Sequence, residues 1–327
     1  MQLEMQQDTG PSANSSIFPP LTFLLRGIPG LEHNPHWLAA PVCALYLLSA
    51  LGNGTVLFII LTEPSLHTPM YPLLLMLAMA DLGLSTSILP TMLGVFLSSS
   101  REVSSDACFS QLFFIHAFSI MESSVILAMA FDRFVAICYP LRYNSILTNA
   151  RQLQIGLAIA VRATALHIPL PFLLQRLPYH QSSVLSHSCC LYPDVMKLAH
   201  VGSRESTYAP FLVLSTMGLD LVLIVLSYAW VLRSVLGLIL MKEHVRVLST
   251  CLSHISVVLL FHTPMLALSL VSHLGLPIPA IVHSLLSFLH FLAPPVLNPM
   301  LYYMRMKEIR EQVAKRLLQA QGTWGRH

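Results

Sequence analysis

Seven apolar runs, each long enough to cross a bilayer, constrain this chain more than anything else in it. They fall at 36–61, 70–96, 108–138, 153–174, 208–236, 246–272 and 280–303. A helix needs about 20 apolar residues to span the hydrocarbon core. Backbone groups left unpaired in lipid are too costly, so every run is expected to be helical. Only 10% of the 327 residues are charged, whereas a soluble domain is about a quarter charged. The fold expected is therefore an all-α membrane protein, a seven-transmembrane helix bundle. Pro41, Pro90, Pro169, Pro171, Pro210, Pro264 and Pro299 lie in or beside the runs and should kink or end helices. A further segment, 307–318, sets Ile309, Val313 and Leu317 among Lys and Arg, which suits a short amphipathic C-terminal helix on the membrane surface. The chain thus divides into an N-terminal tail (1–35), a seven-helix domain (36–303) and a C-terminal tail (304–327).

Orientation follows from the basic residues. With the N-terminus outside, twelve of the eighteen Lys and Arg fall on the inner side and five on the outer, with Arg162 inside a span. This is a positive-inside bias, and it makes 1–35 extracellular and 304–327 cytoplasmic. The N-terminal stretch shows no basic region followed by an apolar one, so the first span is expected to serve as the targeting signal. Asn14-Ser15-Ser16 is an N-glycosylation sequon on the outer side, whereas Asn53-Gly54-Thr55 is inside a span and should be silent. A net charge of +3 gives no reason to expect a nucleic-acid partner. Residues 175–207 form the longest loop, outside the cell. It holds Cys189 and Cys190, and Cys108 begins the third span. Extracellular thiols usually pair, so one loop cysteine should bridge to Cys108. Cys43, Cys138 and Cys251 read as unpaired small apolar residues.

Charges inside apolar spans mark function by default. Asp132 and Arg133 are adjacent at the inner end of the third span. Asp81 and Glu122 lie mid-membrane alongside Asn53; two bare carboxylates there would be prohibitive, so they share a proton, hold a cation or are protonated. Asp220 is alone in its span. No internal repeat supports a transporter, and no nucleophile–base register or metal motif supports an enzyme.

Several stretches resemble class A G-protein-coupled receptors, and among them olfactory receptors. They are Leu66-His67-Thr68-Pro69-Met70-Tyr71, Leu77-Ala78-Met79-Ala80-Asp81, Met129 to Leu141, Ser227-Tyr228, Leu248 to His254 and Pro294 to Tyr302, in the family's order. Ile28-Pro29-Gly30-Leu31-Glu32 and Met217-Gly218-Leu219-Asp220 resemble its class I (fish-like) members, which often respond to water-soluble odorants, carboxylic acids included. The resemblance implies an odorant ligand, a stimulatory heterotrimeric G protein acting through cAMP, and a place in the plasma membrane of olfactory cilia. It makes Cys190 the partner of Cys108. It makes Asp132 a resting-state hold on Arg133, with Arg246 helping and Asn298, Pro299 and Tyr302 as a polar hinge. It suggests a sodium ion near Asp81. It places the pocket at His116, Ser119, Ile120, Leu191, Pro193, His262, Leu266, Ser269 and His273. The chain also departs from the family. Histidine replaces arginine at His273, which should weaken acid recognition or make it pH-dependent, and replaces an aromatic residue at His262. His180 and His200 replace a second loop disulfide; His180, His187, Cys189 and His200 as zinc or copper ligands is an alternative reading, though their spacing matches no metal motif. Pro72 should disturb the start of the second helix.

Overall fold

The computed structural model describes residues 22–26, 36–63, 68–97, 101–179, 183–185, 187–199, 203–236, 241–274 and 279–324. Asn14, His180 and His200 lie outside them, as do the side chains of Arg246 and His273.

Seven helices or helix pairs are long and apolar enough to cross a membrane. They are α1 (His36–Thr62), α2 (Met70–Leu97), α3 (Ser105–Cys138), α5 (Asn149–His167) with α6 (Pro169–Arg176), α8 (Ser203–Leu236), α9 (Met241–Leu274) and α10 (Ala280–Arg305). Short α4 (Tyr143–Ile146) follows a 3-10 turn at Pro140–Arg142. Helix α7 (Tyr192–Leu198) lies in the long loop, and α11 (Lys307–Trp324) ends the described chain. Helix α3 is central and packs on α2, α5, α6, α8 and α9. Outward-facing Leu61, Leu153 and Phe211 are each more than 70% exposed, part of an apolar surface of the kind that marks a membrane or protein contact.

Local chemistry sets several boundaries. The Ser104 hydroxyl accepts from the Ala107 N–H and caps α3, and Asp106 follows in its first turn; a carboxylate is favourable there. Thr148 caps α5 through the Arg151 N–H, which starts the fourth span earlier than its apolar run. Ile168 separates α5 from α6; it keeps helical dihedrals and its own bond to the Thr164 carbonyl, and the break falls where Pro169 and Pro171 bring no N–H to the ladder. Pro41, Pro90, Pro264 and Pro299 stay inside continuous helices. The disturbance expected of Pro72 is absent: it falls in the first turn of α2, where a missing N–H costs little. Small residues allow close approach: a Cβ on Gly52 would meet the Pro299 ring at 2.8 Å.

A three-stranded sheet of order β2-β1-β3 caps one end of the bundle. Strand β1 (Thr22–Leu25) pairs antiparallel with β2 (Glu102–Ser104) and parallel with β3 (Val184–Leu185). The N-terminal tail is therefore partly docked. Phe23 and Leu25 point inward and are fully buried, and Phe23 meets Phe109 and Tyr179 edge-on at 5.9 Å. At the opposite end α11 lies against α1 and α10. Ile309 is buried and Val313 packs beneath it, while Arg316 bonds Glu63 at 2.6 Å.

Candidate functional site

Helix α3 serves as a ruler. It rises about 1.5 Å per residue, and its side chains carry, in turn, a loop anchor, a cavity wall, two buried polar clusters and a terminal ion pair.

The anchor is Cys108, disulfide-bonded to Cys190. One turn on, Gln111 donates to the Ser87 carbonyl and Thr91 hydroxyl and accepts from the Cys190 N–H at 3.0 Å. The loop after Cys190 is thus held over the bundle. Cys189 is buried and unbridged. In α7, Asp194 hydrogen-bonds His187 and pairs with Lys197 at 3.3 Å. Burial alone would raise the Asp194 pKa, but His187 and then Lys197 outweigh it and hold the carboxyl below its ordinary value. The other ring nitrogen of His187 meets His283 Nδ1 at 3.0 Å, which ties the loop to α10. No cluster of three or more metal-ligating side chains exists among the described residues.

Beneath this roof lies a cavity of about 110 Å³. His116, Ser119, Ile120, Leu191, Pro193 and Ser269 line it, as read from the sequence. Two other pocket candidates do not. His262 sits below the floor residue Met265, its Nδ1 bonded to the Val258 carbonyl at 3.1 Å, and Leu266 is 39% exposed. Three further histidines line the wall, His167, His283 and His290, and sequence reasoning missed them. The available signal was polar: imidazoles inside apolar spans, each of which must find partners.

One turn deeper lies a polar cluster that joins four helices. The Arg162 Nη1 donates to Asp220 at 2.8 and 3.1 Å and to the Ser124 hydroxyl, and Nη2 donates to the Thr216 carbonyl. Ser123 donates to Asp220 at 2.9 Å and lies 3.4 Å from His262 Nε2. Asp220 thus has the partner its sequence context did not reveal.

The second cluster holds Asp81 and Glu122, both fully buried. Asn298 Nδ2 donates to both Asp81 oxygens and to Glu122 Oε1 at 3.1–3.2 Å. The two carboxyls stand close enough to share a proton. Glu122 Oε2, Asn298 Oδ1 and the Tyr302 hydroxyl are buried without a partner among the described residues. Asn53 instead donates to the carbonyls of Ser49 and Pro295, so it braces α1 on α10.

At the far end, Asp132 Oδ2 lies 3.9 Å from Arg133 Nε. Its shorter bond, 2.7 Å, comes from the Tyr143 hydroxyl. Burial and then Asp132 raise the Tyr143 pKa, so the phenol remains a donor. Tyr143 stands two residues after the third-span motif, yet sequence reading passed over it. Pro299 and Tyr302 lie on α10 below Asn298, and Tyr228 on α8 bonds His254 on α9 at 2.6 Å. Between its two ends this geometry offers binding and rearrangement.

Three comparisons bear on this arrangement. A family model described as olfactory receptor matches residues 42–320. Human olfactory receptor 51G2 is 53% identical over 305 residues, covering 93% of this chain and 97% of that protein. Human olfactory receptor 51S1 is 48% identical over 307 residues, 94% of each. Squid rhodopsin superposes with a TM-score of 0.71 at 17% identity, over 88% of this chain and 86% of that one, a likeness of fold.

Proposed function

The chain belongs to the olfactory receptor family, and on that premise we propose that it binds an odorant in the cavity under the loop and activates a stimulatory G protein from the Asp132–Arg133 end, raising cAMP. It is a multi-pass membrane receptor and not an enzyme. In this reading the sheet end is extracellular, the receptor sits in the plasma membrane, and lipid covers the outward apolar belt. The supporting observation is that one helix, α3, lines the cavity with His116, Ser119 and Ile120 and ends in the Asp132–Arg133 pair. A ligand that shifts α3 against α8 and α9 changes the far end directly. Tyr143 holds Asp132 in the resting arrangement, and Tyr228–His254 holds α9 against α8. Release of α9 exposes Arg133 to a G-protein helix.

The test is cAMP in cells that express the receptor with a stimulatory G protein and are exposed to an odorant panel. Arg133→Ala should abolish evoked cAMP while ligand binding persists. Tyr143→Phe removes one hydrogen bond worth about 1–2 kcal/mol, so basal cAMP should rise several-fold. Full evoked signalling in Arg133→Ala would refute this assignment.

Asp81, Glu122 and Asn298 also suit a sodium ion, because Glu122 Oε2 and Asn298 Oδ1 are buried oxygens without donors and hard cations take oxygen ligands. A shared proton satisfies the carboxyls equally, and sodium titration separates the two. With sodium bound, thermal unfolding should move up as NaCl replaces choline chloride, and Glu122→Gln should erase that increment. An unfolding temperature indifferent to sodium leaves the shared proton.

A further inference from the structure

We infer that the cavity takes a small neutral molecule bearing one hydrogen-bonding group, of the alcohol, aldehyde or ketone class, and that a carboxylic acid enters only together with a proton. This rests on the reading of the cavity as the odorant site and names the ligand class that site accepts.

The first observation is charge. Among the described residues, no Asp, Glu, Lys or Arg lines the cavity. Two described charges lie behind its walls and are already paired. Asp194 is engaged by His187 and Lys197, beyond His283. Arg162 is engaged by Asp220, one turn beneath the lining residue Met217. A bare carboxylate would lose its water and gain no opposite charge. The titratable groups that face the cavity are His116 on α3, His167 on α5, Tyr192 on α7, and His283 and His290 on α10. Among the described side chains, helices α8 and α9 contribute none. An imidazole can be protonated to receive an acid, or the acid can keep its own proton. Either route takes up one proton once the pH lies above the free pKa of both the acid and the imidazole, and there acid affinity falls about tenfold per pH unit. A neutral ligand escapes that penalty.

The second observation is an unused polar atom. His167, His283 and His290 each commit a ring nitrogen, to the Ala163 carbonyl, to His187 and to the Phe261 carbonyl. His290 also meets the Ser119 hydroxyl at 3.3 Å. His116 stacks on His167 at 6.0 Å with the rings 9° apart, and its Nε2 is buried with no partner among the described residues. A neutral imidazole nitrogen donates in one tautomer and accepts in the other, so it suits a hydroxyl or a carbonyl. The third observation is size. The cavity measures about 110 Å³, and an apolar cavity of about 150 Å³ holds benzene. The smaller volume limits a ligand that fits without rearrangement to about six non-hydrogen atoms.

The experiment uses full-length receptor in lipid nanodiscs and four probes of similar size: 1-pentanol, pentanal, pentanoic acid and hexane. Thermal unfolding between pH 6 and pH 8 reports binding without signalling. Pentanol or pentanal should stabilise with pH-independent affinity, and pentanoic acid should weaken about tenfold per pH unit. His116→Phe should lose about tenfold for pentanol and nothing for hexane; His116→Gln, which keeps a donor and an acceptor, should retain the pentanol affinity. Pentanoic acid binding as tightly as pentanol at pH 8 overturns the inference, and so does the absence of stabilisation by either neutral polar probe. Equal losses for pentanol and hexane in His116→Phe overturn the role given to that side chain. Probes that rank as expected but raise no cAMP in cells leave the ligand class standing and defeat the receptor reading instead.

Discussion

Asp220→Leu is expected to destabilise the receptor by about 3 kcal/mol. Asp220 is buried and accepts from Arg162 at 2.8 and 3.1 Å and from Ser123 at 2.9 Å. Without it, Arg162 keeps only neutral acceptors, Ser124 and the Thr216 carbonyl. Breaking a buried ion pair from one side typically costs about 3–5 kcal/mol, because the charge left behind is uncompensated. The Arg162 side chain is 30% exposed, and a long basic side chain relieves part of that cost by snorkelling, so the lower end of the range applies. Thermal unfolding of purified receptor and the surface-delivered fraction in cells are the measurements. Replacing both residues by leucine leaves no charge in either span and should recover much of the loss. If the double variant is as unstable as Asp220→Leu alone, the pair is not the source of the effect. Ser123 bonds the same carboxylate and links it to His262, so even well-folded survivors should show altered basal signalling.

That pair also shows where sequence reading stops. The seven spans, the amphipathic C-terminal helix and the ion pair at Asp132–Arg133 are legible because each depends on neighbours in sequence: apolar length, periodic charge, direct adjacency. Arg162 and Asp220 are far apart in the chain, and only packing of both α5 and α8 on α3 brings them together. The available clue was thermodynamic: two lone opposite charges, each unaffordable in its own span, have reason to meet. The pocket splits in the same way. His116, Ser119 and Ile120 occupy successive turns of one straight helix, so their shared face is readable. Leu266 and His262 depend on how α9 is rotated about its axis, which the sequence does not state; one points outward and the other lies below the floor. Strand β1 was hidden for a different reason. Four residues in a polar tail carry too little pattern, and Phe23 and Leu25 find their core only after the loops that carry β2 and β3 have come together.

Cys190→Ser should produce the second large effect, on the roof of the cavity. The Cys108–Cys190 bridge closes 82 residues of chain with the two Cα atoms 5.5 Å apart, and disulfides typically contribute about 2–4 kcal/mol. Leu191 and Pro193, which roof the cavity, and α7 follow within three residues. The Gln111 bond to the Cys190 N–H needs no thiol, and the His187–Asp194 and His187–His283 contacts remain, so the roof loosens without detaching. Evoked responses should need at least tenfold more ligand, and delivery to the cell surface should fall. Cys189→Ser is the control. Burial and then Asp194 push the Cys189 thiol up to about 12, so it stays protonated and is a poor nucleophile for exchange. It is neither a rescuer of the bridge in Cys190→Ser nor a loss when replaced, and Cys189→Ser should behave as wild type in surface staining and dose-response. The reverse pattern, with Cys189→Ser defective and Cys190→Ser intact, would move the bridge by one residue. That shift would turn the following loop residues to the other side and take Leu191 out of the cavity wall.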